Sequence, residues 1–178
     1  MTDLVFAGFG GQGILTAGLI VARTGMEIGD NVTWMPSYGS EMRGGTANCN
    51  VRISQRKIPS PFVGQIDILV AMNVPSVEKF MPMLRPGGTL IVNGSMVRDI
   101  VFREDINIYS VPATEIADRL ENAKGGNIVM LGALAASGKL YNSDILQKGM
   151  LDFFALKGYK NPKNFACFIE GEKACEKI

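Results

Sequence analysis

An α/β fold of Rossmann-like kind, a mostly parallel sheet with helices on both faces, is what this sequence predicts. Three observations carry the expectation. Short continuous apolar runs alternate with stretches of helical apolar spacing up to about residue 120. The first run, Leu4-Val5-Phe6-Ala7, has no polar alternation, as a strand buried on both faces requires. It leads into Gly8-Phe9-Gly10-Gly11-Gln12-Gly13, a G-x-G-x-x-G segment that follows a strand and opens a helix.

Each element has its own justification. From Gly13 to Ile28 the apolar residues Ile14, Leu15, Leu19, Ile20, Ala22 and Met26 recur at helical spacing, and Gly29-Asp30 stops them. Val32-Thr33-Trp34-Met35 reads as a second strand, cut by Pro36. Residues 37–46 form a polar, glycine-rich loop. Ala47, Cys49, Val51 and Ile53 then alternate with Asn48, Asn50 and Arg52, which predicts a strand with one wetter face. Ile66–Ala71 is another buried strand. Val77, Phe80, Met81 and Leu84 form a helix with Pro75 near its start. Arg85-Pro86-Gly87-Gly88 is a turn before a strand at Thr89–Val92, and Ile106–Val111 is expected to be the last strand of the sheet. Helices are expected over about 113–122, 127–137 and 143–157, and a fourth starts at Asn161-Pro162.

The 178 residues are 47% hydrophobic, show no repeat or linker, and read as one domain, 1–178. Eighteen basic and 17 acidic side chains are mixed along the chain. That balance argues against nucleic acid as a partner, because phosphate neutralisation needs clustered cations. Histidine is absent, which removes imidazole bases and imidazole metal sites. Three scattered cysteines cannot supply the four thiolates of an iron–sulfur cluster. The opening Met1-Thr2-Asp3 lacks the basic segment of a signal peptide, and the longest apolar run, Ile128–Ala136, is too short to span a membrane. A cytoplasmic chain with reduced thiols is expected.

In the glycine segment, Gly8 would permit the tight turn, Gly10 would let a ligand approach the backbone, and Gly13 would let helix and strand pack closely. The N–H groups and dipole at the helix start favour an anion. A dinucleotide site also needs an acid at the end of the second strand, but Thr33-Trp34-Met35-Pro36-Ser37 supplies none, nor an Arg for a 2′-phosphate. An anion or partner site and a purely structural turn both remain open.

The ordered set Gly8-Phe9-Gly10-Gly11-Gln12-Gly13, Pro36-Ser37-Tyr38-Gly39-Ser40-Glu41-Met42-Arg43-Gly44-Gly45, Val51-Arg52-Ile53-Ser54 and Asn127-Ile128-Val129-Met130-Leu131-Gly132-Ala133-Leu134 resembles the gamma subunit of 2-oxoacid:ferredoxin (acceptor) oxidoreductases. The resemblance spans about residues 3 to 157. It implies an accessory subunit of a complex that oxidatively decarboxylates a 2-oxoacid with coenzyme A. The products are an acyl-CoA, carbon dioxide and two electrons for ferredoxin. 2-Oxoglutarate is favoured as substrate, with pyruvate and branched-chain oxoacids open. It further implies alpha, beta and delta partner chains that hold thiamine diphosphate, Mg and the iron–sulfur clusters. This chain itself would bind no cofactor and carry no catalytic residue.

Two candidate sites follow. Gly8, Gly10, Gly11, Gln12 and Gly13 would hold an anion or coenzyme A. Ser37, Tyr38, Glu41, Arg43, Gly44 and Gly45 would face a partner or coenzyme A, since functional groups concentrate on loops over a rigid sheet. A Glu41–Arg43 network that merely orders the loop is the plainer reading. Cys49 is expected in the core. The apolar helix at Ile128–Ala136 is either buried within the domain or packed on a partner. The competing functional class is a free-standing nucleotide- or dinucleotide-binding oxidoreductase.

Overall fold

The computed structural model describes residues 1–37, 46–159 and 161–178. Among them are β1 (Thr2–Phe9), α1 (Ile14–Glu27), β2 (Asn31–Ser37), β3 (Thr46–Ser54), β4 (Ile66–Ala71), α2 (Val74–Phe80), β5 (Leu84–Asn93), β6 (Asn107–Val111), α3 (Ala113–Arg119), α4 (Gly126–Ala136), α5 (Ser143–Leu156), α6 (Pro162–Lys173) and β7 (Glu176–Lys177). The strands form one sheet in the order β2-β3-β1-β4-β5-β6-β7. β1, β4, β5 and β6 make its parallel core. β3 runs antiparallel to both β1 and β2, and β7 antiparallel to β6.

The expected parallel sheet is therefore a core with antiparallel margins. β2 does not stop before Pro36 but runs to Ser37. Among the described residues it is the outermost strand of the sheet, a position where a proline is tolerated. β6 is not the last strand, because Tyr109 and Ser110 pair with Lys177 and Glu176 of β7. Two residues are too few for a periodicity signal. Leu84 belongs to β5 rather than to the preceding helix, which tightens into a 3-10 turn at Met81–Met83.

Alternate residues of the parallel strands serve two separate cores. Leu4, Phe6, Ile68, Val70 and Ile91 face α1, α3, α4, α5 and α6. Val5, Ala7, Leu69, Ala71, Leu90 and Val92 face α2 and irregular segments. Helices lie on both faces, five against one. The heavier face is organised by α4, whose residues from Gly126 to Ala135 are all buried. This settles its reading in favour of burial within the domain. Small residues make the burial possible. A Cβ on Gly132 would meet the Phe168 carbonyl oxygen of α6, and one on Gly171 would meet the Val129 carbonyl oxygen of α4. The two helices thus cross backbone to backbone.

Most of the polar side of β3 is covered, and Asn50 is half-buried. Asn48 and Arg52 are both buried, and Arg52 closes an ion pair with Asp3 at 2.8 Å. The Arg52 guanidinium also donates to the carbonyls of Ser60 at 2.6 Å and Phe62 at 2.7 Å. The alternation correctly marked the side chains as polar, but the β3–β4 loop folds back over Arg52. Cys49 on the opposite side is fully buried, and burial pushes its thiol up to about 12. Burial likewise raises Cys167, and pushes Cys175 up to about 11. A raised thiol stays protonated throughout the neutral range. A disulfide-exchange reagent at pH 8 is therefore expected to label the folded chain slowly and all three cysteines only after unfolding. Rapid labelling of Cys49 in the folded protein would contradict this packing.

Candidate anion-binding cleft

The chain leaves β1 for β2 on one side of the sheet and returns through β4 on the other. The carboxyl ends of β1 and β4 are therefore the topological switch point, where open α/β sheets place ligands. A cleft of about 270 Å³ opens beside it, at the carboxyl end of β1 on the side of β3 and β2, lined by Phe9, Gly10, Gly11, Gly13, Ile14, Leu15, Thr16, Ser37 and Ala47. It joins the glycine segment to Ser37, the first residue of the second candidate site. Phe9 pairs with Thr46 and Ser37 with Asn48, so both ends of that loop are anchored beside the glycine turn. Tyr38, Glu41, Arg43, Gly44 and Gly45 lie outside the described residues.

The glycines have different roles from those expected. Gly8 is not a turn residue. It lies in β1, and a Cβ there would come within 2.7 Å of Gln12 Oε1 and 3.0 Å of Met72 Cβ. The left-handed conformations fall on Gly11, at φ 96°, and Gly13, at φ 72°, where L side chains are strained. Gly13 packs not on a strand but on α4: a Cβ would come within 2.8 Å of Asn127 Cγ, and Asn127 Nδ2 donates to the Gly13 carbonyl at 2.9 Å.

Gln12 is the brace of the turn. Its Oε1 accepts from the Phe9 N–H at 2.6 Å and from Asn73 Nδ2 at 3.1 Å, while its own N–H returns to the Phe9 carbonyl. Asn73 in turn caps α2 by accepting from the Ser76 N–H. One strand further, Asn93 Oδ1 accepts from the N–H groups of Ser95, Ala113 and Thr114. A row of amide side chains thus ties together the loops at the carboxyl edge. Asn73, Asn93 and Asn127 were missed as a group, because single asparagines near strand ends carry no spacing signal.

Gly13 offers α1 no side-chain cap, and the first turn holds no acid. The first intrahelical bond runs from the Ala17 N–H to the Gly13 carbonyl. The preceding N–H groups of Ile14, Leu15 and Thr16 therefore sit at the positive end of the helix dipole, against the cleft. The Thr16 and Ser37 side chains also line it. Such a helix start is electrostatically suited to a negatively charged group. Among the described residues no cluster of three His, Cys, Asp or Glu side chains is placed to hold a metal ion, and no helix is long and apolar enough to cross a membrane.

The topology also bears on dinucleotides. β3 is wedged between β1 and β2, so the end of β2 lies two strand spacings, roughly 10 Å, from β1. An acid there would be displaced from the ribose position, and the end of β2 carries none.

An α/β domain with a glycine cleft at the carboxyl end of its first strand, built around a wedged antiparallel strand, is the class these features define. A model of the pyruvate ferredoxin/flavodoxin oxidoreductase family matches residues 3–174, and the chain belongs to that family. The 2-oxoglutarate synthase subunit KorC of Methanocaldococcus jannaschii is 33% identical over 180 aligned positions, covering 99% of this chain and 95% of that one. The ketoisovalerate oxidoreductase subunit VorA of Methanothermobacter marburgensis is 40% identical over 132 residues, 74% of this chain but 27% of that subunit. This chain thus spans little more than a quarter of that relative. The keto/oxoacid ferredoxin oxidoreductase gamma subunit of Geobacter sulfurreducens superposes with a TM-score of 0.79 at 27% identity, over 98% of both chains.

Proposed function

We propose that the chain is the gamma subunit of a multi-subunit 2-oxoacid:ferredoxin oxidoreductase that makes acyl-CoA from a 2-oxoacid, with 2-oxoglutarate as the favoured substrate. The observation that carries this is the match to KorC along nearly the whole of both chains. In this reading alpha, beta and delta chains hold thiamine diphosphate, Mg and the iron–sulfur clusters, and ferredoxin takes the electrons. The gamma chain contributes an interface at the carboxyl edge, and its cleft at Gly10–Gly13 receives a phosphate of coenzyme A. The loop carrying Tyr38, Glu41 and Arg43 faces the partners. The complex, purified through a tag on this chain, should reduce a dye acceptor with 2-oxoglutarate and coenzyme A, and faster than with pyruvate or a branched-chain oxoacid. A preference for another oxoacid would correct the substrate alone.

Gly10→Val tests the cleft. A branched side chain there narrows the approach to the N–H groups, so KM for coenzyme A should rise while assembly is kept. A folded variant complex with unchanged KM would leave the glycine a packing role only.

A free-standing dinucleotide enzyme is the reading the wedged β3 disfavours. Calorimetric titration of the isolated chain with NADH or NADPH should show no binding tighter than about 1 mM. A micromolar constant would reverse that choice.

A further inference from the structure

At the opposite, amino end of β1 lies a second surface that the cleft does not use. The β3–β4 loop carries Phe62, a large aromatic left 70% exposed. Exposure alone means little, but this side chain is held out by a rigid mount. Its carbonyl and that of Ser60 both accept from the buried Arg52 guanidinium, which is fixed in turn by Asp3. Pro59 and Pro61 flank these contacts and stiffen the segment. An aromatic whose backbone is already fixed loses little freedom when a partner covers it, which is the property of an interface anchor.

The charges around it are unbalanced, although the chain as a whole carries only +1. Two carboxylates of this edge are paired with cations, Asp3 with Arg52 and Asp67 with Arg85, while Asp30 accepts from the Tyr141 hydroxyl and keeps its charge. Arg56 and Lys57 line a cleft with Met1, Gln55 and Pro59, and Lys139 lines a neighbouring one with Met1, Gln55 and Asp30, so three cations stand against one unpaired carboxylate. Among the described residues none of these three cations has an acidic partner. A second copy of this chain would bring like charges together across a two-fold contact. From this geometry we infer that residues 55–63 form a docking knob for a partner protein whose surface is an apolar pocket rimmed by carboxylates. The inference rests on the chain being an oxidoreductase subunit, and it adds a second interface at the edge opposite the cleft.

The test uses the complex purified through a tag on this chain, with retention of the chain followed by native mass spectrometry across a salt series. Phe62→Ala should leave the isolated subunit's melting temperature unchanged and weaken retention by about tenfold or more. The double substitution Arg56→Glu, Lys57→Glu should weaken it further and flatten its salt dependence. If both variants stay bound like the unmodified chain, the knob is no interface, while the subunit reading stands. If the unmodified chain brings no partner chains at all, the subunit reading fails and the inference with it. If it instead forms a dimer that Phe62→Ala disperses, the occupant is a second copy and the acidic partner is overturned.

Discussion

Gly132→Ala is expected to lower the melting temperature by roughly 10 °C, a loss of about 4 kcal/mol. The sign is the informative part. Helix propensity alone favours alanine over glycine by about 1 kcal/mol. At this position the new methyl would collide with the Phe168 carbonyl oxygen and would also lie 2.8 Å from the Glu172 N–H. Both are backbone atoms of α6, so no rotamer change relieves the contact. Nor can α4 retreat, because it is buried from Gly126 to Ala135 with the sheet behind it. The helices must separate, and each contact along the crossing weakens as they do. A variant that melts at or above the unmodified temperature would show that the crossing is looser than described.

The second large effect is expected at Arg52. Arg52→Met should cost about 3–5 kcal/mol, because it leaves the Asp3 carboxylate buried without a counter-charge. It also strips the Ser60 and Phe62 carbonyls of their donor, so the β3–β4 loop should become a site of limited proteolysis. The pair Asp3→Leu, Arg52→Met should recover much of the lost stability, since replacing both partners removes the stranded charge. If the double variant is as unstable as Arg52→Met, the loss comes from packing and not from the ion pair.

These two sites show where the sequence is legible. Leu4 to Ala7 reads as a buried strand because both of its faces meet apolar layers. The glycine segment reads as a turn into a helix because Gly11 and Gly13 adopt conformations that other residues resist. Their individual roles were not legible, because Gly8 and Gly13 answer to Met72 and Asn127, residues distant in sequence. Alternation identified β3 as a strand, yet alternation says nothing of direction or neighbours. Its antiparallel insertion between β1 and β2, which separates this sheet from a dinucleotide fold, had to be seen. Arg52 was read as solvated for the same reason: the pattern reports polarity, and only the Asp3 carboxylate and the folded-back loop turn a polar position into a buried one. The amide row of Gln12, Asn73, Asn93 and Asn127 is assembled from a turn, a helix cap, a strand end and the first turn of α4, four places distant in sequence, and leaves no local trace.

The role proposed for this chain is that of one subunit in a coenzyme A-dependent 2-oxoacid oxidoreductase. Its most direct test is purification of the tagged chain from its native cell, followed by native mass spectrometry and an assay of acceptor reduction. The account predicts a complex with larger chains, thiamine diphosphate and iron–sulfur absorbance, whose acceptor reduction needs both a 2-oxoacid and coenzyme A. A chain that runs alone, or in a complex that reduces the acceptor without either substrate, would contradict it.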